Sequence, residues 1–180
     1  RMGGSVSFTP AEPPKLRRAG ELTALQRDRR TELYPEQVLF HEYAHHFMLQ
    51  YLPSVYPSWL VEGFAELAST AEPMSGGKFA WGKAASHRGY SLTSSRWIPV
   101  QELMAKQWGQ TAGDSDFYGQ SWLLAHYLIL SEKRPHQLST YLGLLRRGVE
   151  RADAAHQAFG NLDDLNRELR IYLEQASFPY

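Results

Sequence analysis

The chain has 180 residues carrying 19 basic and 19 acidic side chains, so its formal net charge at pH 7 is zero. That balance argues against a general affinity for nucleic acid or an anionic membrane surface, and no stretch approaches the run of about 18 apolar residues that spans a membrane. The absence of cysteine removes disulfides, thiolate ligands and a cysteine nucleophile, and the length suits one domain able to bury most of its surface.

Residues 1–34 read as an N-terminal arm. The opening Arg1-Met2-Gly3-Gly4 has no signal peptide and looks like a trimmed or processed end. Val6-Ser7-Phe8-Thr9 is a candidate short strand before Pro10. Residues 15–32 alternate basic and acidic groups, as a solvated loop or short helix does.

Pro35 and Glu36 suit the first turn of a helix, one through its preset φ and the other through its charge. From Val38 to Leu52 the chain is apolar on almost every side, the pattern of a buried helix. Within it lie His41, Glu42 and His45, and buried ionisable groups are costly unless paired. Their H-E-x-x-H spacing sets two imidazoles at i and i+4 on one face, ready to share a metal. His46 reads as an ordinary core or partly exposed histidine. After a turn bracketed by Pro53 and Pro57, a second helix runs to about Ala71. Between Trp59 and Ala68 its only charges are Glu62 and Glu66, one turn apart on one face. Like charges at that spacing repel, so a cation or a donor has to be near. A zinc ion meets the first need and the N–H of a zinc-bound histidine the second. Gly63 is expected to let two helices approach closely. Residues 35–71 thus form a zinc-binding helix pair.

Residues 72–98, with Gly76, Gly77, Gly82 and Gly89, read as a long loop with one or two short strands, best placed at 77–82. Loops of that length are often functional and suggest the border of a substrate cleft. Residues 99–180 are helical: Pro99 to about Lys106, Asp116 to about Lys133, His136–Arg147, 152–159 and 162–175. Asn161 is the expected N-cap of the last helix. Trp59, Phe64 and Trp122 are expected in the core or a cleft wall.

The segments His41-Glu42-Tyr43-Ala44-His45 and Trp59-Leu60-Val61-Glu62-Gly63-Phe64-Ala65-Glu66 resemble the gluzincin metallopeptidases of the MA clan, which include thermolysin and the zinc aminopeptidases. The second segment looks like the aminopeptidases' W-L-x-E-G-F-A block, whose glutamate is the third zinc ligand. The resemblance therefore implies His41, His45 and Glu62 as ligands and Zn2+ as cofactor. Sixteen residues separate His45 from Glu62, slightly fewer than in the aminopeptidases, so the intervening loop would be tighter. Glu66 falls where thermolysin-like enzymes place an acid that holds the first zinc histidine. The chain is also similar to bacterial peptidase-like domains of this clan, often parts of larger multidomain proteins, and that likeness favours an extracytoplasmic location. The matching motifs span residues 36–68, with a weaker echo near 116–130. The implied fold is mainly α (α+β), a zincin-type helical metallopeptidase domain. Gluzincins usually carry a β-sheet ahead of the motif helix, and here there is room only for a small or truncated N-terminal β element.

Three protein ligands leave a fourth position for water, whose pKa zinc lowers to about 7. Glu42 lies roughly 100° round the helix from His41. It can act as general base on that water and then as general acid to the leaving amine. Tyr118 resembles the aminopeptidases' transition-state tyrosine, a donor to the developing oxyanion, although Gly119 follows it directly here. Tyr90, His87 and His126 are alternative donors. The implied function is a zinc-dependent metallopeptidase acting on peptide or protein substrates. The alternative is a catalytically inactive gluzincin-like domain serving as a binding or regulatory module. Retention of Glu42 favours the enzyme, and the short N-terminal region favours the module. No G-x-M-E-N-type segment lies upstream, which leaves endopeptidase and aminopeptidase both open.

Overall fold

The computed structural model describes residues 34–51, 56–93, 96–111 and 113–174. Among these the protein is mainly helical. Helix α1 is Pro35–Tyr51 and α2 is Ser58–Ser69. A minimal antiparallel hairpin follows, β1 Glu72–Pro73 pairing Pro73 with Phe79 of β2 Phe79–Ala80. A 3-10 turn Ser86–Arg88 leads into the short α3, Gly89–Thr93. Then come α4 Val100–Ala105, α5 Ser115–Leu130, α6 Gln137–Arg146, α7 Arg151–Phe159 and α8 Leu162–Leu173. The expected helices of the C-terminal part are all present, within a few residues of their expected ends. The 3-10 turn and α3 were not foreseen, because residues 86–93 lack an apolar period. The candidate strand Val6–Thr9 and the segment 15–32 lie outside the described residues.

Helix α5 is the centre of the fold. Its residues from Phe117 to Leu128 are buried save for Tyr118, with Trp122, Leu123 and Leu124 at 1% exposure or less. Asp114 caps it by accepting from the Phe117 N–H at 3.1 Å, which satisfies one of the free donors of its first turn. Helix α2 packs directly on α5. A Cβ added at Gly63 would lie 2.3 Å from the Ser121 carbonyl oxygen and 2.9 Å from the Ala125 Cβ. Only glycine permits that approach, and it sets the depth at which α2 sits. Trp59 and Trp122 lie in the core, and half-buried Phe64 packs against Trp81.

Helix α1 packs on α2, and here one expectation is corrected. The apolar run from Val38 to Leu52 implies a helix buried on all sides, yet only Ala44 and Met48 are buried. Leu39 is 63% exposed, Tyr43 62% and Leu49 75%. Among the described residues α1 has one helical neighbour to lean on, and one neighbour covers one stripe. That stripe is His41, Ala44, His45 and Met48, at i, i+3, i+4 and i+7. The motif histidines therefore share the packed face with the two buried apolar residues. No helix among the described residues is long and apolar enough to cross a membrane.

Candidate metal centre

The stripe of α1 faces the face of α2 that carries Glu62 and Glu66. His41 Nε2 and His45 Nε2 are 3.0 Å apart. Glu62 Oε2 lies 3.5 Å from the first and 3.3 Å from the second. These three atoms form a nearly equilateral triangle with a circumradius of about 1.9 Å, so a point about 2.0–2.1 Å from all three, the length of a zinc bond to nitrogen or oxygen, lies just off their plane. Edges of this size are also those of a tetrahedral ligand set, in which ligands stand about 3.3 Å apart.

Glu62 Oε2 is buried and has no hydrogen-bond partner. A buried carboxylate oxygen left so is costly, and a shared cation removes that cost. His41, His45 and Glu62 thus fit a divalent metal in donor type and geometry, with one flank left free for a further ligand. Burial works against the charge on Glu62, but the two imidazoles facing it prevail and hold its pKa below the usual value. The same contact raises that of His45, against the effect of burial.

Glu66, one turn beyond Glu62, is 1% exposed and holds the arrangement from behind. Its Oε1 lies 3.5 Å from His41 Nδ1. A proton on Nδ1 directed at this carboxylate leaves the lone pair on Nε2, the atom of the triangle. Glu66 is itself clamped. The Arg88 Nε donates to Oε2 at 3.0 Å, its Nη2 donates to Oε1, and His87 Nε2 is 2.9 Å from Oε2. Burial opposes ionisation, yet the His87 and Arg88 bonds outweigh it and pull the Glu66 pKa down to about 2.

Glu42 is exposed and borders two cavities, each lined by part of the triangle. One, of about 240 Å³, is lined by His41, Glu66, His87, Arg88 and Tyr118. The other, of about 650 Å³, runs past His45 and Glu62. Tyr118 stands beside the site, its ring 6.5 Å from that of His41 and 5.0 Å from the Arg88 guanidinium carbon. Burial first, and then the negative field of Glu62, raise its pKa, so the phenol keeps its proton. Gly119 next to it is a close-contact position, where a Cβ would meet the Ser91 Oγ at 2.5 Å. The start of α5 is thereby seated on the segment that carries Arg88.

The alternative donors behave differently. His87 is at the site but is occupied with Glu66. Tyr90 is 69% exposed and lines neither cavity. His126 is buried in the core, its Nε2 2.7 Å from the Gly82 carbonyl and its Nδ1 2.8 Å from the Tyr172 hydroxyl. It ties α5 and α8 to the loop after β2. Arg88 is the site residue that sequence reasoning missed. The signal was the demand for a cation beside Glu66, and the pairing partner sits 22 residues downstream in a loop without periodicity. No protein-family model, no curated protein and no solved structure matches this chain.

Proposed function

We propose that this chain is a zinc-dependent metallopeptidase of zincin type, hydrolysing peptide bonds in a peptide or protein substrate. The observation that carries this reading is the His41–His45–Glu62 triangle, sized for one metal, with the unligated Glu42 on the same helix opening to both adjoining cavities. Zinc bound there would supply a Lewis acid and an acidified water.

The chain's own residues have distinct tasks. Glu42 takes the proton from the attacking water and returns it to the leaving amine. Glu66, fixed by Arg88 and His87, keeps the His41 ring in the tautomer that presents Nε2. Tyr118 retains its proton and offers a hydrogen bond to the substrate oxygen as negative charge develops on it. The competing reading is a catalytically inactive binding module. One observation favours it: among the described residues the only strands are the two-residue β1 and β2, a short edge for pairing with an extended peptide.

Comparing the wild type with Glu42→Gln decides between the two. Zinc content is read by elemental mass spectrometry and cleavage of a random peptide library by peptide mass spectrometry. The expected result is one zinc per chain in both proteins, with cleavage reduced at least about 100-fold in the variant. Full zinc occupancy with no cleavage by either protein would overturn the hydrolase reading in favour of the module.

A further inference from the structure

The larger cavity beside the triangle has a composition of its own. It starts at Glu42, His45 and Glu62 and continues over Met48, Leu49, Val61 and Trp108 to Arg151. Its about 650 Å³ is within the range of pockets that enclose a small ligand or a few residues of peptide. Met48 and Val61 form a buried floor, each 4% exposed. Leu49 at 75% exposure and Trp108 at 53% stand over it. Exposed side chains of that size on one groove cost solvation free energy and are explained by something that covers them.

Among the described residues Arg151 is the only lysine or arginine bordering this groove. It is the first residue of α7, where a cation opposes the helix dipole. Helix stability therefore does not account for it. The neighbouring Glu150 uses its carboxylate to accept from the Ala152 N–H at 2.8 Å, and among the described residues no carboxylate lies within ion-pairing distance of Arg151. Arg151 also borders a second cavity of about 310 Å³.

We infer that this groove selects the substrate: it takes an apolar side chain next to the bond to be cut, on the His45 side of the metal, and Arg151 takes a carboxylate further along the same peptide. The preferred substrates are apolar-acidic peptides, the carboxylate coming from an aspartate or glutamate side chain or from the peptide's C terminus. The inference rests on the metallopeptidase reading. Its physical basis is that a planar guanidinium binds a carboxylate in two-pronged fashion, whereas Trp108 and Met48 discriminate only by size and apolarity.

The probes are fluorescein-labelled heptapeptides with a central Phe or Leu and with Glu, Gln or Lys at each other position in turn, each with a free or an amidated C terminus. Binding to the zinc-loaded Glu42→Gln protein is read by fluorescence polarisation, which needs no cleavage, and hydrolysis by the wild type is read by mass spectrometry. The expected result is a preference for Glu over Lys of about tenfold or more at one position, as befits one charge-assisted hydrogen bond. If instead the C-terminal carboxylate is the ligand, amidation removes a preference of the same size. Arg151→Glu inverts the preference, Arg151→Lys retains part of it, and Arg167→Ala, at an exposed residue of α8 that does not line this groove, leaves it as it was. Trp108→Ala weakens binding of all the apolar peptides severalfold. A Glu-to-Lys ratio near one at every position together with no loss of binding on amidation, or a charge preference that Arg151→Glu does not move, overturns the groove assignment even if cleavage is intact. Charge selection that persists while no peptide is cut overturns the hydrolase reading alone.

Discussion

Glu66 meets three groups at once, His41 on one side and His87 and Arg88 on the other. A carboxylate buried to 1% exposure keeps its charge only if such partners outweigh desolvation. The two tasks are separable. Arg88 and His87 fix Glu66, and Glu66 fixes the ring of His41. Arg88→Met therefore leaves His41, His45 and Glu62 in place but loosens the carboxylate that faces the His41 ring. The expected outcome is a fall in zinc affinity of about 10- to 100-fold, measured by competition with a chelator of known affinity. Zinc affinity equal to wild type would mean that Glu66 does not act through His41. The metal-free melting temperature, measured in parallel, separates this from a general loss of fold.

At the scale of elements, the site depends on how α2 is wedged between α1 and α5, and Gly63 sets that spacing by touching the Ser121 backbone. A second device fixes the other end of α5. Arg134, in the turn after it, donates to both oxygens of Glu168 on α8 at 2.6 and 2.8 Å, and to the Phe159 carbonyl at 2.9 Å. The Tyr127 hydroxyl donates to the same carboxylate at 2.7 Å. Arg134 above all, against some burial and with help from Tyr127, holds the Glu168 pKa below its ordinary 4.5. The folded value being the lower one, this stabilisation is complete above about pH 4.5 and is lost as pH falls through the folded pKa. Glu168→Gln is expected to lower the melting temperature at neutral pH by about 4 °C or more. The gap to wild type should then narrow as the pH falls below the carboxylate range. A gap that stays constant down to about pH 3 would show that the clamp contributes no pH-dependent stability.

For the molecule as a whole, the sequence was most legible where chemistry is local. His41, Glu42, His45, Glu62 and Glu66 occupy two short helices, and helical spacing alone puts each group on a definite face. Gly63 was legible for the same reason, since a glycine inside an apolar helix asks for a close neighbour. The C-terminal helices followed from their apolar period and caps, as with Asn161, whose Oδ1 accepts from the Asp163 N–H at 2.8 Å. The place of Arg88 beside Glu66, and of Trp108 and Arg151 along the larger cavity, was not legible. These residues come from a 3-10 turn, a turn and a helix start, and none of these segments carries a period that assigns a side chain to a face. The burial of α1 was misread because apolar composition tells what a helix could bury, and the number of neighbours decides what it does bury.

The central claim is that His41 Nε2, His45 Nε2 and Glu62 Oε2 hold one divalent cation between α1 and α2. X-ray absorption at the zinc edge of the zinc-loaded protein tests it most directly, with Glu62→Ala as the reference. The expected spectrum has two imidazole nitrogens and at least one oxygen at about 2.0–2.1 Å, with an oxygen shell changed or lost in the variant. A spectrum without paired imidazole scattering, or one that Glu62→Ala leaves unaltered, would contradict it.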